Sequence, residues 1–224
     1  MKTIKILPTL TLGGGAQMAI DDGLLETAEE VSVRRYLWSP PALSVGKFQK
    51  LDLIADLPFD VVRRPTGGRA ILHGEGFEWS FAIVFPLAAL GTQSLQASYR
   101  FVNDAFSHAL KDIGVRLDPS READYRRSQL CFSSPLRHDL LAAGGKVVAL
   151  AQARRRDRVL VHGSVLERRP PLDLVTAVEA LLDECHLRAE LGGAKRRDIA
   201  GRSAAEDEDA GHASAAVPPR AAAT

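Results

Sequence analysis

Apolar and polar residues alternate along this chain in two distinct rhythms. Over Ala16–Glu30, Met18, Leu24 and Leu25 recur among charged and polar positions, the spacing of an amphipathic helix. Trp79, Phe81, Ile83 and Phe85 instead alternate with period two, which predicts a strand over Glu78–Phe85. Arg34–Trp38 and Leu43–Phe48 read as strands around the turn signal Ser39-Pro40-Pro41, and Asp60–Arg64 and Ala70–Leu72 as two strands joined by Pro65-Thr66-Gly67-Gly68. A longer helix is predicted over Leu95–Ile113, where Phe101, Ala105, Leu110 and Ile113 are apolar and Gly114 is placed to stop it. Three further strands are expected at Gln129–Phe132, Lys146–Ala153 and Val159–Leu166, before a closing helix over Asp173–Leu191.

Strands outnumber helices and come in hairpin-like pairs. The pattern therefore predicts an α+β fold with a mixed, mostly antiparallel central sheet flanked by helices, rather than a doubly wound one. The expected folded domain covers residues 1–191. From Gly192 to Thr224 the chain is rich in Ala with mixed charge, so too little apolar surface remains to offset the ordering of the backbone, and disorder is expected there.

Composition narrows the classes. The 224 residues are 46% hydrophobic and 25% charged, and 29 basic against 28 acidic side chains leave a net charge of +1. That balance argues against nucleic-acid coating and against a polybasic membrane anchor. No run approaches the roughly 18–20 apolar residues of a membrane-spanning helix. Lys2 and Lys5 before an apolar run look like a signal peptide, but Pro8, Thr9 and Thr11 break the run, and a first strand and turn is the expectation. Cys131 and Cys185 are the only cysteines, too few for a disulfide scaffold or, by themselves, a zinc site; a reducing cytoplasm fits, with no metal.

The segment Arg63–Phe81, RRPTGGRAILHGEGFEWSF, is the most informative. Adjacent glycines allow a backbone to approach a ligand and present amide donors, and flanking arginines suit a carboxylate, a phosphate or an acyl carrier. A tight hairpin with solvated arginines is the competing reading.

The run Arg64-Pro65-Thr66-Gly67-Gly68-Arg69-Ala70-Ile71-Leu72-His73 resembles the signature of the lipoate-protein ligase and octanoyltransferase superfamily, which shares a catalytic domain with biotin ligases. Three other blocks agree in order: Met18-Ala19-Ile20-Asp21, Trp38 to Gly46 with Phe48-Gln49, and Gly145-Lys146-Val147-Val148 with Ala151-Gln152 and His162-Gly163-Ser164. The resemblance implies the biotin/lipoate protein ligase catalytic-domain fold and a tunnel for an eight-carbon acyl chain beside Thr66-Gly67-Gly68. It implies substrate-binding roles for Arg64, Thr66, Gly67, Gly68, Arg69, Ala70, His73, Val148, Ala149, His162 and Gly163. Leu43, Val45, Ile71, Phe81 and Val148 are expected as tunnel walls or as plain core. His73 is expected at the acyl head or in a hydrogen bond behind the loop.

Cys131 lies in Leu130-Cys131-Phe132-Ser133, which resembles the nucleophile block of the ligase-like octanoyltransferases, and Lys146 follows in the position of a lysine thought to lower the thiol pKa there. The resemblance thus implies catalytic roles for Cys131 and Lys146. Octanoyl or lipoyl would pass from octanoyl-acyl carrier protein through Cys131 to a lysine of a lipoyl domain or glycine-cleavage H protein, with no cofactor, in a cytoplasmic monomer. The alternatives are a lipoate ligase using ATP and Mg, and a non-catalytic acyl- or lipoyl-domain-binding protein. Arg154-Arg155-Arg156 with Arg158, and Arg34-Arg35, are expected either to dock acidic carriers or to be solvated faces. Gly145 and Leu150 depart from the family pattern, and Leu150 is expected to narrow the pocket.

Overall fold

Residues 3–49, 59–119, 131, 138–143 and 145–167 are described by a computed structural model, all within the unit Met1–Leu182. The elements run β1 (Ile4–Ile6), β2 (Leu10–Leu12), α1 (Gly14–Thr27), β3 (Val31–Trp38), β4 (Ala42–Val45), β5 (Asp60–Arg63), β6 (Ile71–His73), β7 (Glu78–Pro86), a short 3-10 turn at Leu87–Ala89, α2 (Leu95–Asp112), β8 (Leu140–Ala142), β9 (Gly145–Arg155) and β10 (Arg158–Leu166). The expected strand at Gln129–Phe132 (Cys131 apart), the helix at Asp173–Leu191 with Cys185, and the tail lie outside the described residues.

A 7-stranded sheet has the order β1-β3-β7-β10-β9-β8, with β2 also paired to β3. β1 and β2 run parallel to β3, and every other neighbour in this sheet is antiparallel. The fold is therefore α+β with a mixed, mostly antiparallel sheet. A second sheet of 3 strands has the order β5-β4-β6, β5 parallel and β6 antiparallel to β4.

That second sheet corrects the expected hairpin. Asp60–Arg63 and Ile71–His73 do not pair with each other; they flank β4 on opposite sides. All four residues of β4 are buried, so the strand needs a partner for each row of backbone groups, and it takes one from either side of the glycine loop. β4 also ends at Val45, short of the expected Phe48, because Gly46–Gln49 folds into a turn closed by the Gln49 amide on the Gly46 carbonyl at 3.0 Å.

Period-two alternation gives the central strands two unlike faces. Tyr36, Trp38, Ala82, Val84 and Leu160 pack under α1 with Met18 and Leu25. On the opposite face Phe81, Phe85, Val159 and Val161 pack with Val102, Phe106 and Leu110 of α2. Burying each such large side chain stabilises the fold by roughly 1.5–3 kcal/mol. α2 is capped by Ser94, whose hydroxyl accepts from the Ala97 amide, and ends where Gly114 adopts φ +82°.

Candidate active site

Two rows of side chains cross the sheet under α1. Strand register sets Tyr36, Ser80, Ser164 and Ala149 side by side, and Arg34, Ala82, His162 and Ala151 in the next row. Beside them opens a cavity of about 580 Å3, mouth included, whose apolar lining comes from Met18, Trp38, Ile71, Ala149 and Leu150. Its polar lining comes from β4, β6, the glycine loop, Cys131, Asp139 and Lys146.

The glycine loop is held by its carbonyls. The buried Arg64 guanidinium donates to Gly67 O at 2.9 Å and Arg69 O at 2.6 Å, and on its other side to Ser44 O at 2.9 Å. Lys47 N donates to Thr66 O at 2.8 Å. Gly68 sits at φ +91°, and a Cβ on Gly46 would lie 1.9 Å from the Gly68 carbonyl oxygen, so neither position has room for another residue without rearrangement. The amides of Gly67 and Gly68 donate to no backbone group among the described residues.

Two buried histidines stand behind and beside the loop. His162 places Nδ1 2.8 Å from Asp21 Oδ2 and Nε2 2.7 Å from the Thr66 hydroxyl. Asp21, fully buried on α1, also accepts from Tyr36 OH at 3.1 Å and pairs with Arg34 Nε at 3.0 Å. Burial, with the Asp21 charge, holds the Tyr36 hydroxyl well above its ordinary pKa. His73 stacks on Trp38 at 4.0 Å, bonds Ser44 Oγ through Nε2 at 2.7 Å, and turns Nδ1 toward Glu78 at 3.4 Å. Burial lowers the His73 pKa, against the pull of Glu78.

Cys131 is joined to the end of the loop, its amide donating to Ala70 O at 2.9 Å. Lys146 Nζ lies 3.5 Å from Cys131 Sγ, also donates to the Cys131 carbonyl, and is paired with Asp139 at 2.7 Å. Lys146 and Asp139 are both buried. Enclosure pushes the Cys131 thiol above its ordinary pKa; the Lys146 ammonium opposes that shift and the Asp139 carboxylate reinforces it. Lowering by the lysine, expected from the sequence, is therefore present but outweighed by desolvation.

Residues 14–179 match the family described as the lipoyl protein ligase A/B catalytic domain. The chain belongs to this family. Octanoyltransferase LipM of Anoxybacillus flavithermus is 34% identical over 167 residues, 66% of this chain and 60% of the relative. Octanoyltransferase LipM of Kyrpidia tusciae is 30% identical over 223 residues, 90% of this chain and 81% of the relative. The chain thus spans 60% to 65% of the length of several of these relatives. Among solved structures, a protein from T. acidophilum with bound lipoic acid superposes with TM-score 0.62 at 22% identity, covering 79% of this chain and 71% of that one. Lipoate-protein ligase A bound with ATP superposes with TM-score 0.61 at 22% identity, covering 77% and 70%. Both share the fold.

Within this catalytic-domain family member, Arg64, Gly68, Arg69, His73, Cys131, Lys146, Ala149, His162 and Gly163 all border one cavity. Thr66, Gly67, Ala70 and Val148 do not. Thr66 is fully buried behind the loop on His162, and Val148 packs in the core on the α2 side. Of the expected tunnel walls, Ile71 and not Leu43, Val45, Phe81 or Val148 lines the cavity; the last two point to the α2 side, and Leu43 and Val45 are enclosed in β4. Met18, Trp38 and Leu150 serve instead.

The arginine clusters are mostly engaged within the chain. Arg34 is buried on Asp21 and Gln17, Arg155 pairs with Asp22 and Glu26, Arg154 donates to the carbonyls of Gln93 and Ser94, and Arg158 donates to Ala28 O. Arg156, 77% exposed, remains solvated apart from a 3.8 Å contact with Glu26. The guanidiniums of Arg34, Arg154, Arg155 and Arg158 thus tie α1 and α2 to the sheet, while Arg35 and Arg156 are exposed. The sequence reading gave no site role to Asp139, to Glu78 or to Asp21, although Asp21 closes one of the blocks that carry the resemblance. Glu78 and Ser80 alternate with Trp79 and Phe81, a rhythm that normally marks a solvent-facing polar side.

Proposed function

We propose that the chain transfers an octanoyl group from acyl carrier protein, through a Cys131 thioester, to a lysine of a lipoyl domain or H protein. The observation that carries this reading is the Cys131–Lys146–Asp139 contact in the wall of the cavity. The LipM relatives, named octanoyltransferases, support it.

The resting nucleophile is a thiol, because burial disfavours its anion. The thiol gives its proton to solvent at the cavity mouth, from which the departing pantetheine thiolate later takes one up; Lys146 stabilises the thiolate so formed, and Asp139 holds the ammonium in place. Sγ then attacks the carbonyl carbon of the donor thioester. The tetrahedral oxyanion takes a hydrogen bond from the amide of Gly68, the loop glycine that lines the cavity, and its collapse breaks the bond to the phosphopantetheine sulfur, which leaves as thiolate and takes up a proton. In the second half-reaction the neutral amine of the acceptor lysine attacks the Cys131 acyl carbon; an amide forms, the thiolate departs, and the amine's extra proton is released. Thioester exchange is nearly isoenergetic and amide formation is downhill, so the sequence of steps needs neither ATP nor metal. An aqueous, cytoplasmic setting suits the two carrier proteins, and among the described residues no helix is long and apolar enough to cross a membrane.

The test is direct. Purified chain incubated with octanoyl-acyl carrier protein, without ATP, gains one octanoyl group on Cys131 by intact and peptide mass, and Cys131→Ala gains none. ATP-dependent lipoylation that survives Cys131→Ala identifies a ligase instead, and acyl-chain binding with neither activity identifies a binding protein.

A further inference from the structure

Asp21 sits at the middle of a buried chain of side chains that begins at the sheet and ends at the glycine loop. Gln17 Nε2 donates to Leu10 O at 3.1 Å and Leu37 O at 2.8 Å, which fixes its amide; its Oε1 accepts from Arg34 Nη2 at 2.7 Å. Arg34 Nε faces Asp21 Oδ1 at 3.0 Å, and Asp21 Oδ2 faces His162 Nδ1 at 2.8 Å. His162 Nε2 meets Thr66 Oγ1 at 2.7 Å. Gln17, Asp21 and Thr66 have no exposed surface, and Arg34 and His162 almost none.

A carboxylate accepts and does not donate, so the nitrogen facing Asp21 carries the proton. In the neutral imidazole Nε2 is then an acceptor, and the Thr66 hydroxyl must donate to it. Arg64 and Lys47 hold the loop by its carbonyls, whereas this bond holds it by a side chain, on His162, which itself borders the cavity that Gly68 lines. Fixing the carbonyls alone leaves the peptide planes free to rock about them. The Thr66 side chain restrains that freedom two residues before Gly68, the loop glycine that lines the cavity.

We propose that Asp21 is a positioning residue: through the His162 tautomer it locks Thr66 and so sets the orientation of the Gly67–Gly68 peptide at the cavity. Resting on the acyl-transfer reading, this gives His162 a supporting rather than a substrate-binding role, and it adds a residue on α1 to the machinery. A misplacement on the order of 1 Å at an oxyanion donor lowers a rate by about 100-fold.

Replacing Asp21 strands the Arg34 charge and risks the fold, so the decisive variants lie at the far end. Thr66→Val keeps the shape and removes the donor, and Thr66→Ser restores it. The expected result is octanoylation of Cys131 slowed by about 10- to 100-fold in Thr66→Val and returned to within about 3-fold of wild type in Thr66→Ser, with Cys131 alkylation by iodoacetamide unchanged in both. Long-range 15N–1H NMR of the full chain is expected to show His162 as the Nδ1–H tautomer. An Nε2–H tautomer, or Thr66→Val acylating at the wild-type rate, overturns the proposal. If wild-type chain forms no octanoyl adduct, the transfer reading fails, while the His162 tautomer, Nδ1–H or Nε2–H, still decides the relay.

Discussion

The two faces of β7 and β10 are made by the same strands and do opposite things. Toward α2 they carry Phe81, Phe85, Val159, Val161 and Val165, all buried and apolar, with Phe81 against Phe106 at 4.4 Å and Phe85 against Phe101 at 5.6 Å. Toward α1 they carry the apolar Ala82, Val84 and Leu160 and, beside these, Glu78, Ser80, His162 and Ser164, equally buried but polar and bonded to one another or to Asp21, Thr66 and His73. One face is held by non-directional burial alone, and the other adds to its apolar patch a layer of directional bonds whose geometry is the site. An apolar face tolerates shape changes gradually, while a half-satisfied polar layer fails at once.

The largest expected effect tests both faces for stability. Phe85→Ala leaves a cavity on the α2 side and is expected to cost about 3–5 kcal/mol in denaturant unfolding, with the Cys131 alkylation rate of the folded fraction unchanged. Arg34→Met leaves the Asp21 carboxylate buried without its cation and is expected to cost about as much, roughly 3–5 kcal/mol. The double variant Arg34→Met, Asp21→Leu is expected to recover most of that loss without recovering acyl transfer. If it recovers transfer as well, the polar face is a structural layer alone and the contrast collapses.

Much of the α2 face was legible in the sequence. The alternation Trp79, Phe81, Ile83, Phe85 marks the strand, and Phe101, Leu110 and Gly114 mark the helix and its end. The glycine loop, Cys131 and Lys146 were legible as motifs and do meet at one cavity. The polar face was not, for a physical reason: Ser80 and Glu78 in alternation look like solvent-facing positions, and their burial depends on α1 and β4, distant in the chain, closing over them. Leu43 and Val45, expected as tunnel walls or as plain core, are core, and the sequence could not decide between the two because apolar character specifies burial but not which cavity a residue borders. Asp139 had no local signature at all, and its place on Lys146 comes from the β8–β9 pairing.

Lys146→Met tests whether the directional face works through charge. It is expected to slow octanoylation by about 100-fold or more, the scale of a lost preorganised donor to a developing charge. Since Lys146 is the cation that opposes the desolvation of the Cys131 thiol, its removal is also expected to move the alkylation-versus-pH curve to higher pH. Wild-type alkylation should itself still be rising above the pH at which an ordinary exposed thiol has levelled off. A curve that does not move in Lys146→Met assigns the lysine to holding the Cys131 carbonyl, not to the sulfur.

The smallest expected effect isolates His73, which lies on the polar face but outside the Asp21 relay. Burial lowers its pKa below the value of about 6.5 it has in the unfolded chain. The unfolded state therefore binds the proton first as pH falls. The stability tied to the neutral imidazole is fully present above about pH 6.5 and is lost as the pH drops from there through the folded-state value. The loss is at most one proton, about 1.4 kcal/mol per pH unit, and it reads as a melting temperature that declines on acidification. His73→Gln keeps a donor near Ser44 Oγ and cannot titrate, so its decline over the same window should be shallower by up to one proton. An unchanged slope would place the acid sensitivity elsewhere on the polar face. A shallower slope with octanoylation retained would separate His73, which the sequence left between the acyl head and a hydrogen bond behind the loop, from the groups that handle the acyl transfer.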